Sequence, residues 1–414
     1  MTSQRWFSAA FGTSALVALT ASTVVGGSAQ AVAPVVVDTA VPTGVYQVNE
    51  SWTYSVADIN SDTRPDLFLG GHDHEGTVLL NNGNGTFTQP PATLTAFPKR
   101  SIKYADRHGC AWADIDLDGR VDAYCAVGRT EKNWVKDATH SNELWLQQPD
   151  GSFVDVGYAR GVGDPYGRGR TPIVFDANGD SRPDIYVMNE KPRTIDPNPE
   201  LTVNKLFIQQ PDGTFRDARE YNLDQSFGWG QCGEARDWDG DSDPDLFVCG
   251  SSRLYYLRND GGSFTVVPTT QIGIGRKYND YDMVDVNRNG SIDIVGVRGS
   301  YVGYQLNRGN GTFGSFVVIA QISGTVGSSV ADADGNGWAD IFVVTGTATT
   351  NPDDVLLLNQ GSGLPWQPVV MPSAGGSGSD VQAIVVSPGE LPRFVVATGG
   401  RNLLGPVQVL SLQP

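Results

Sequence analysis

The nine-residue stretch DIDLDGRVD, from Asp114 to Asp122, carries the strongest fold signal in the chain. It places aspartates at positions 1, 3, 5 and 9, and related phrases occur six times. Their starts lie 47 to 62 residues apart, which is typical of a repeat architecture. The six phrases begin at Asp58, Asp114, Asp176, Asp237, Asp285 and Asp332.

Each phrase is followed by an apolar run and then by a second recurring phrase. In the first copy these are LFLG at 67–70 and LLNNGNGTF at 79–87. Short apolar runs rich in Val, Ile, Phe and Tyr, separated by Asn-Gly or Asp-Gly, predict strands joined by tight hairpins. Each repeat of about 50 residues is therefore predicted to be a four-stranded unit.

The spacing of oxygen atoms in the phrase predicts a metal loop. Side chains at positions 1, 3 and 5 point toward one centre, position 7 can add its backbone carbonyl, and position 9 can supply two oxygens. Six or seven oxygens suit Ca²⁺, whereas Mg²⁺ takes fewer protein ligands and more water. An EF-hand would need a Glu at position 12, where this chain has Leu69, Cys125, Val187, Val248, Gly296 and Val343. The candidate sites, for up to six structural Ca²⁺ ions, comprise Asp58, Asn60, Asp62, Arg64, Asp66, Asp114, Asp116, Asp118, Arg120, Asp122, Asp176, Asn178, Asp180, Arg182, Asp184, Asp237, Asp239, Asp241, Asp243, Asp245, Asp285, Asn287, Asn289, Ser291, Asp293, Asp332, Asp334, Asn336, Trp338 and Asp340.

The repeated phrase resembles the calcium loop of FG-GAP or VCBS repeats, which build the β-propeller of integrin α subunits and of many secreted bacterial proteins. The stretches HGCAWADIDLDGRVD, NELWLQQPDGSFVD and GVGDPYGRGR resemble more narrowly the secreted proteins related to cartilage acidic protein. The resemblance implies metal ligands at the oxygen-bearing positions of all six loops. Two loops depart from the family pattern, because Ser61 and Thr63 replace glycines in loop 1 while Asn287 and Asn289 leave loop 5 with two carboxylates.

Six phrases predict six blades, and the segment from Gly378 onward predicts a seventh. That segment has three strand-like runs, and Val35–Val37 can supply its missing outer strand. Joining both ends of the chain in one blade closes the ring and removes exposed strand edges. The predicted fold is all-β, a seven-bladed β-propeller over residues 32–414, with a strand near 35–39 completing the last blade at 378–412.

The first 31 residues predict a secretory signal peptide. Arg5 precedes an apolar stretch, and small residues lead to cleavage after Ala31, with Ala33 as the alternative. No later segment reaches the roughly 18 apolar residues that a membrane span needs, and the chain ends without an apolar tail. The mature protein is expected to be secreted, extracellular and monomeric, with no membrane span.

Four cysteines permit three pairings, and the hairpin register selects one of them. Residues opposite each other in an antiparallel hairpin have a constant sum of residue numbers. The residue numbers of Cys110 and Cys125 add up to one less than those of the first and last aspartates of the loop between them. The same offset holds for Cys232 and Cys249. The sequence therefore predicts two disulfides in an oxidising compartment.

The net charge of −17 excludes nucleic acid as a partner of the whole chain, because phosphate binding requires a basic surface. Hydrophobic residues form 39% of the chain, which is enough for a folded core. Nineteen aspartates occupy positions 1, 3, 5 and 9 of the six loops. The acidity therefore belongs mostly to the predicted metal sites.

Irregular loops on the face opposite the aspartate loops carry basic and aromatic residues. Long loops on a rigid scaffold concentrate binding residues, although ordinary solvated loops would look the same. The sequence favours a non-catalytic binding or adhesion module for an extracellular glycan or protein. The candidate ligand-binding residues are His72, His74, His108, Arg129, Trp134, His140, Tyr166, Arg168, Arg170 and Trp229.

Enzyme motifs are scarce, and a non-catalytic role is favoured over an enzymatic one. The stretch GWGQCG at 228–233 matches a dinucleotide fingerprint, but it precedes a strand rather than a helix. The alternative function is a polysaccharide lyase or other carbohydrate-active enzyme on a propeller scaffold, with a His or Tyr base and an Arg that neutralises a uronate. Its candidate residues are His72, His74, His108, His140, Tyr166 and Arg168.

Overall fold

Antiparallel strands dominate the computed structural model, as the alternation of apolar runs and tight turns predicts. The structure describes residues 35–45, 48–49, 51–71, 76–90, 106–128, 141–191, 201–225, 227–228, 232–346, 352–361, 364–372, 380–387, 389–398 and 405–413. Candidate residues His72, His74, Arg129, Trp134, His140 and Trp229 lie outside these ranges, as does the predicted signal peptide.

Six blades are four-stranded sheets in which consecutive strands pair with each other. Blade 1 contains β3 to β6 (Ser51–Ala57, Asp66–Gly71, Thr77–Asn81, Phe87–Thr88), blade 2 contains β7 to β10 (Arg107–Ala113, Asp122–Val127, Glu143–Gln147, Phe153–Asp155), and blade 3 contains β11 to β14 (Gly169–Phe175, Asp184–Asn189, Lys205–Gln209, Phe215–Asp217). Blade 4 contains β15 to β18 (Gly233–Arg236, Asp245–Cys249, Leu254–Asn259, Phe264–Val267), blade 5 contains β19 to β22 (Asp280–Val284, Asp293–Arg298, Tyr301–Gln305, Val317–Gln321), and blade 6 contains β23 to β26 (Thr325–Ala331, Asp340–Thr345, Asp354–Leu358, Gln367–Met371).

The seventh blade joins the two ends of the chain. It contains β27 to β29 (Asp380–Ile384, Arg393–Ala397, Gly405–Gln413) and β1 (Val35–Asp38), while β2 (Val48–Asn49) also pairs with β29. Val35 lies opposite Gln413, and Asp38 lies opposite Leu410. The outer strand of the last blade therefore comes from the beginning of the chain, where the sequence predicted it.

The first strand of each blade is its innermost strand, and β27 contacts β3 to close the ring. Side chains of successive residues project to opposite faces of a sheet, so each blade packs against both of its neighbours. Tyr124 of blade 2, for example, is buried in one cluster with Ile185 and Phe207 of blade 3. This two-sided packing explains why the second strands, such as β8, are buried along their whole length.

Among the described residues, helix occurs only in short segments. Helix α1 (Ala40–Thr43) and helix α2 (Gly157–Arg160) each end at a glycine in the left-handed conformation, and a 3₁₀ turn covers Arg219–Tyr221. Across the described residues, no helix has the length and apolar character needed to cross a membrane.

Both predicted disulfides are confirmed. Cys110 bonds to Cys125, its directly opposite residue in the β7–β8 hairpin. Cys232 bonds to Cys249 across the corresponding hairpin of blade 4, where the Cys249 amide also donates to the Cys232 carbonyl at 2.8 Å. Each bond therefore joins the two strands that flank an aspartate loop.

Candidate metal centres

The aspartate at position 9 anchors each loop to its own blade. In loop 2, Asp122 Oδ2 accepts from the Ile115 amide at 2.9 Å, and its Oδ1 accepts from the Gln147 amide at 2.8 Å. Both bonds recur in the other five loops, and all six position-9 aspartates are fully buried. This carboxylate therefore holds the loop against the end of the third strand.

Burial raises the pKa of these anchoring carboxyls. The pKa reaches about 6 for Asp66 and Asp245, about 7 for Asp122 and Asp184, and about 8 for Asp340. Burial is the main cause, neighbouring loop aspartates add to it, and the backbone hydrogen bonds oppose it. A cation beside such a group would favour its ionised form.

Aspartates at positions 1 and 5 shape the loop through hydrogen bonds to its own backbone. In loop 2, Asp114 accepts from the amides of Asp118 at 2.9 Å and Gly119 at 3.0 Å. Asp118 in turn accepts from the Arg120 amide at 3.0 Å. Short polar side chains that bond to nearby amides favour turns, so the sequence specifies the loop locally.

Positions 4 and 6 of every loop adopt positive φ. In loop 2 they are Leu117 at 63° and Gly119 at 87°. In loop 1 the same positions are Ser61 at 59° and Thr63 at 69°. Residues other than glycine rarely adopt positive φ, and the backbone of a β-branched residue is strained there. The departure from the family pattern in loop 1 thus changes the residue and preserves the conformation.

Three loops bring three carboxylates together, with oxygens that all lie within 4.8 Å of one another. An all-oxygen donor set at this separation fits a hard divalent cation such as Ca²⁺. In loop 6, Asp332 Oδ1 is buried without a hydrogen-bond partner, so it is available to contact a cation. The groups are Asp114, Asp116 and Asp122 in loop 2, Asp237, Asp239 and Asp241 in loop 4, and Asp332, Asp334 and Asp340 in loop 6.

An arginine at position 7 distinguishes loops 1 to 3. In loop 2, the Arg120 guanidinium contacts the Asp118 carboxylate, and its Nε donates to the Gln147 carbonyl at 2.9 Å. Arg64 and Arg182 make the corresponding contacts in loops 1 and 3. Asp118 is absent from the carboxylate group of its loop, whereas Asp241, its counterpart in loop 4, belongs to one. The spacing of the phrase predicted only a backbone carbonyl ligand at position 7, so this side-chain contact was missed.

An amide side chain at the end of the third strand connects each of several loops to the next blade. Gln147 Nε2 of blade 2 donates to the Ile59 carbonyl in loop 1 at 2.6 Å, and Gln209 of blade 3 donates to the Ile115 carbonyl in loop 2 at 2.7 Å. Asn259 and Asn359 make equivalent bonds to loops 3 and 5. The Asn or Gln that recurs within the second phrase was the available sequence signal, and it was not recognised.

Comparison with protein families agrees with this repeated loop geometry. The FG-GAP-like repeat family matches residues 58–125, 237–296 and 285–343. The chain therefore contains FG-GAP-like repeats within a seven-bladed β-propeller. Each matched segment begins at the first aspartate of a loop, so the family signal coincides with the aspartate phrase.

Several solved structures resemble the FG-GAP propeller. An Agrocybe aegerita lectin, described as recognising non-reducing terminal N-acetylglucosamine, is 20% identical over 78% of this chain and 80% of its own, with a TM-score of 0.51. BBS1N in complex with ARL6DN is 9% identical over 88% of this chain and 93% of its own, with a TM-score of 0.47. A mutant of AofleA from Arthrobotrys oligospora is 10% identical over 88% of this chain and 92% of its own, with a TM-score of 0.40. At these identities the likeness concerns the fold, and no curated protein matches the sequence.

The described members of the predicted ligand face of the FG-GAP propeller are engaged within the protein. Arg168 is only 2% exposed, and Arg170 forms an ion pair with Glu190. His108 Nε2 lies 3.2 Å from Asp106 Oδ1, and Tyr166 is half-buried. The enclosed guanidinium of Arg168 does not fit direct contact with a glycan or with a uronate. The lyase alternative gains no support from these residues.

Proposed function

We propose that this FG-GAP propeller is a secreted protein whose blade loops bind structural Ca²⁺ and whose ring presents a non-catalytic binding surface to an extracellular glycan or protein. The observation that carries the proposal is the set of carboxylate groups in loops 2, 4 and 6, each of which includes the aspartates at positions 1 and 3 of its loop. Up to six ions are proposed, with loops 1 and 5 the weakest sites because loop 1 has backbone strain and loop 5 has fewer charges.

Calcium supplies positive charge to clustered carboxylates that otherwise repel each other. In loop 2, Asp114, Asp116 and Asp122 would hold the ion. Asp122 also anchors the loop to β9 through Gln147, and Gln209 of blade 3 bonds to the loop carbonyl of Ile115. Ordering the loop therefore supports both its own blade and the contact with the next one.

The extracellular location is supported by the two disulfides, which are typical of oxidising compartments. The signal-peptide pattern of the first 31 residues agrees with that location. We propose that the mature protein begins after Ala31 or Ala33 and acts outside the cell as a monomer.

The binding role is supported by the seven-bladed ring, by the basic and aromatic residues in the sequences that connect its strands, and by the fold shared with the Agrocybe aegerita lectin. We propose an extracellular glycan or protein as the partner. Candidate contacts that the structure leaves open are Arg129, Trp134 and Trp229.

A glycan array probed with the calcium-loaded protein tests the binding role. We expect at least one glycan class to bind, and we expect the triple variant Arg129→Ala, Trp134→Ala and Trp229→Ala to lose that binding while retaining its melting temperature. Arg216→Ala, which removes an exposed arginine paired with Glu220, is the matched control. Binding that survives the triple variant would contradict the assigned face, and absence of binding to glycans and to extracellular matrix proteins would contradict the role.

A further inference from the structure

Acidic side chains gather on the innermost strands of blades 4, 5 and 7. They are Glu234 on β15, Asp280 and Asp282 on β19, and Asp380 on β27. Burial raises the pKa of Asp280 to about 6 and that of Asp380 to about 8, and repulsion from Asp280 adds to the second shift. These carboxylates lie close enough to influence one another, and none belongs to an aspartate loop.

Three members of this inner cluster have clear partners. Glu234 forms an ion pair with Arg236 at 2.8 Å. Asp280 and Asp380 each accept one amide hydrogen bond from their own strand and one from the inner strand of the next blade. The second bond comes from Ser328 at 3.0 Å for Asp280 and from Tyr54 at 3.2 Å for Asp380. Asp280 and Asp380 therefore connect neighbouring blades, whereas the ion pair of Glu234 lies within β15.

Asp282 differs from the other three. It is 7% exposed, and its Oδ2 atom is buried without a hydrogen-bond partner. Burial raises its pKa well above the usual value, and repulsion from Asp280, Glu234 and Asp380 raises it further. A buried carboxylate without a partner is stable only when a proton or a cation accompanies it.

Ser328 supplies a second unpartnered group at the same place. It is 6% exposed, and its Oγ atom is buried without a hydrogen-bond partner. Asp282 shares a face of β19 with Val284, and Ser328 shares a face of β23 with Val330, because side chains alternate along a strand. Val284 and Val330 pack in one cluster, so Asp282 and Ser328 both project into the seam between blades 5 and 6.

The arrangement of charges selects the class of ligand. Among the described residues, three acidic side chains have oxygens within 4.8 Å of one another in loops 2, 4 and 6. No such group of three lies at this seam in the described part of the chain. A calcium cage of several direct carboxylates is therefore not formed there. Mg²⁺ keeps several of its waters and binds through one or two carboxylates.

We propose that the seam between blades 5 and 6 binds a partly hydrated Mg²⁺-class cation, with Asp282 as its direct carboxylate ligand. Ser328 Oγ accepts a hydrogen bond from the water shell of the ion, and Asp280, Glu234 and Asp380 supply the surrounding negative field. This site is separate from the calcium loops in its position and in its ligand chemistry. It fixes the inner strands of two neighbouring blades to each other.

Manganese titration of the calcium-saturated protein tests the proposal, with Mn²⁺ as the paramagnetic probe for Mg²⁺. We expect the wild-type chain to bind one Mn²⁺ in excess calcium, and added Mg²⁺ to displace it. Asp282→Asn should weaken that binding about tenfold or more, because it removes the ligand charge and retains the shape. Asp354→Asn, at a buried carboxylate that accepts from the Thr345 amide in blade 6, is the matched control and should bind Mn²⁺ normally.

Ser328→Ala provides a milder variant if Asp282→Asn fails to fold. It removes one hydroxyl group, and it should weaken Mn²⁺ binding several-fold while the circular dichroism spectrum is unchanged. Wild-type protein that binds no Mn²⁺ in excess calcium would overturn the proposal. An Asp282→Asn variant that binds Mn²⁺ as tightly as wild type would also overturn it. The same holds if neither protein binds Mn²⁺ and the variant is more stable than wild type, because Asp282 would then carry a proton instead of contacting a cation. Each outcome is independent of whether the loops bind calcium.

Discussion

Thr63 has the least suitable side chain for its backbone conformation among the six loops. Its φ of 69° lies in the left-handed region, where a β-branched residue is strained, and the equivalent residue in loop 2 is Gly119. We expect Thr63→Gly to raise the free energy of unfolding by about 1 kcal/mol. Urea denaturation of the calcium-loaded protein measures the change.

Gly119→Thr in loop 2 is the matched reverse change. A Cβ atom at Gly119 would meet no atom within 4 Å, so its cost comes from the backbone conformation alone. We expect this substitution to lower the free energy of unfolding by about 1 kcal/mol. If Thr63→Gly destabilised the protein, the positive φ would not be the limiting feature of loop 1.

Arg120 would compete with a bound cation for the Asp118 carboxylate. Its guanidinium contacts Asp118, which is absent from the carboxylate group of loop 2. We expect Arg120→Gln to raise the calcium affinity of loop 2 by about five- to tenfold, since it removes a positive charge close to the site. Isothermal titration calorimetry measures the affinity.

Arg216→Gln is the control for general charge effects, because Arg216 pairs with Glu220 on an exposed surface. It should leave every calcium affinity unchanged. A fall in affinity for Arg120→Gln would show that the arginine supports the loop more than it competes for the carboxylate.

At the scale of elements, the Asn and Gln side chains that end the third strands form amide bridges, which couple loops 1, 2, 3 and 5 to the next blade. Gln209 Nε2 donates to the Ile115 carbonyl of loop 2 at 2.7 Å, and both residues are buried. We expect Gln209→Met to lower the free energy of unfolding by about 1–3 kcal/mol, because it leaves a buried carbonyl without a donor. Thermal unfolding of the calcium-loaded variant gives the measurement.

The adjacent glutamine supplies the control. Gln210 Nε2 bonds to the Ile208 carbonyl at 3.0 Å, two residues away within the same blade. Gln210→Met should therefore cost less than Gln209→Met. Equal losses would mean that the bond between blades adds no stability beyond that of a local hydrogen bond.

Local patterns predicted the elements well, because hairpins, loops and disulfides depend on residues close in the sequence. The register that pairs Cys110 with Cys125 follows from counting along one hairpin. The amide bridges and the partners of Asp280 join residues of different blades. A single repeat contains no information about which carbonyl or amide its neighbour presents, so the sequence did not predict them.

The residues predicted for the ligand face show the same limit of prediction from a single repeat. Arg168 lies in a loop rich in Gly and Arg, which suggested an exposed binding residue, yet the packed ring encloses it. Composition predicts the polarity of a loop, whereas the exposure of a side chain depends on the neighbouring blade. Asp282 was missed for the same reason, because its burial at the seam is a property of two blades.

At the scale of the whole molecule, the seven blades form a ring, and nineteen aspartates of a chain with a net charge of −17 lie in its aspartate loops. Three loops hold carboxylate oxygens within 4.8 Å of one another, so the ring without cations carries strong local repulsion. A ligand that binds only the folded state stabilises it by mass action at each site. Calcium is therefore expected to control the stability of the entire propeller.

The most direct test is differential scanning calorimetry of the whole chain in excess calcium and in excess chelator. We expect the chelator to lower the melting temperature by about 10 °C or more, since several sites contribute together. Readdition of calcium should restore the original value. A difference of less than about 2 °C would contradict the central claim that the repeated aspartate loops are structural calcium sites.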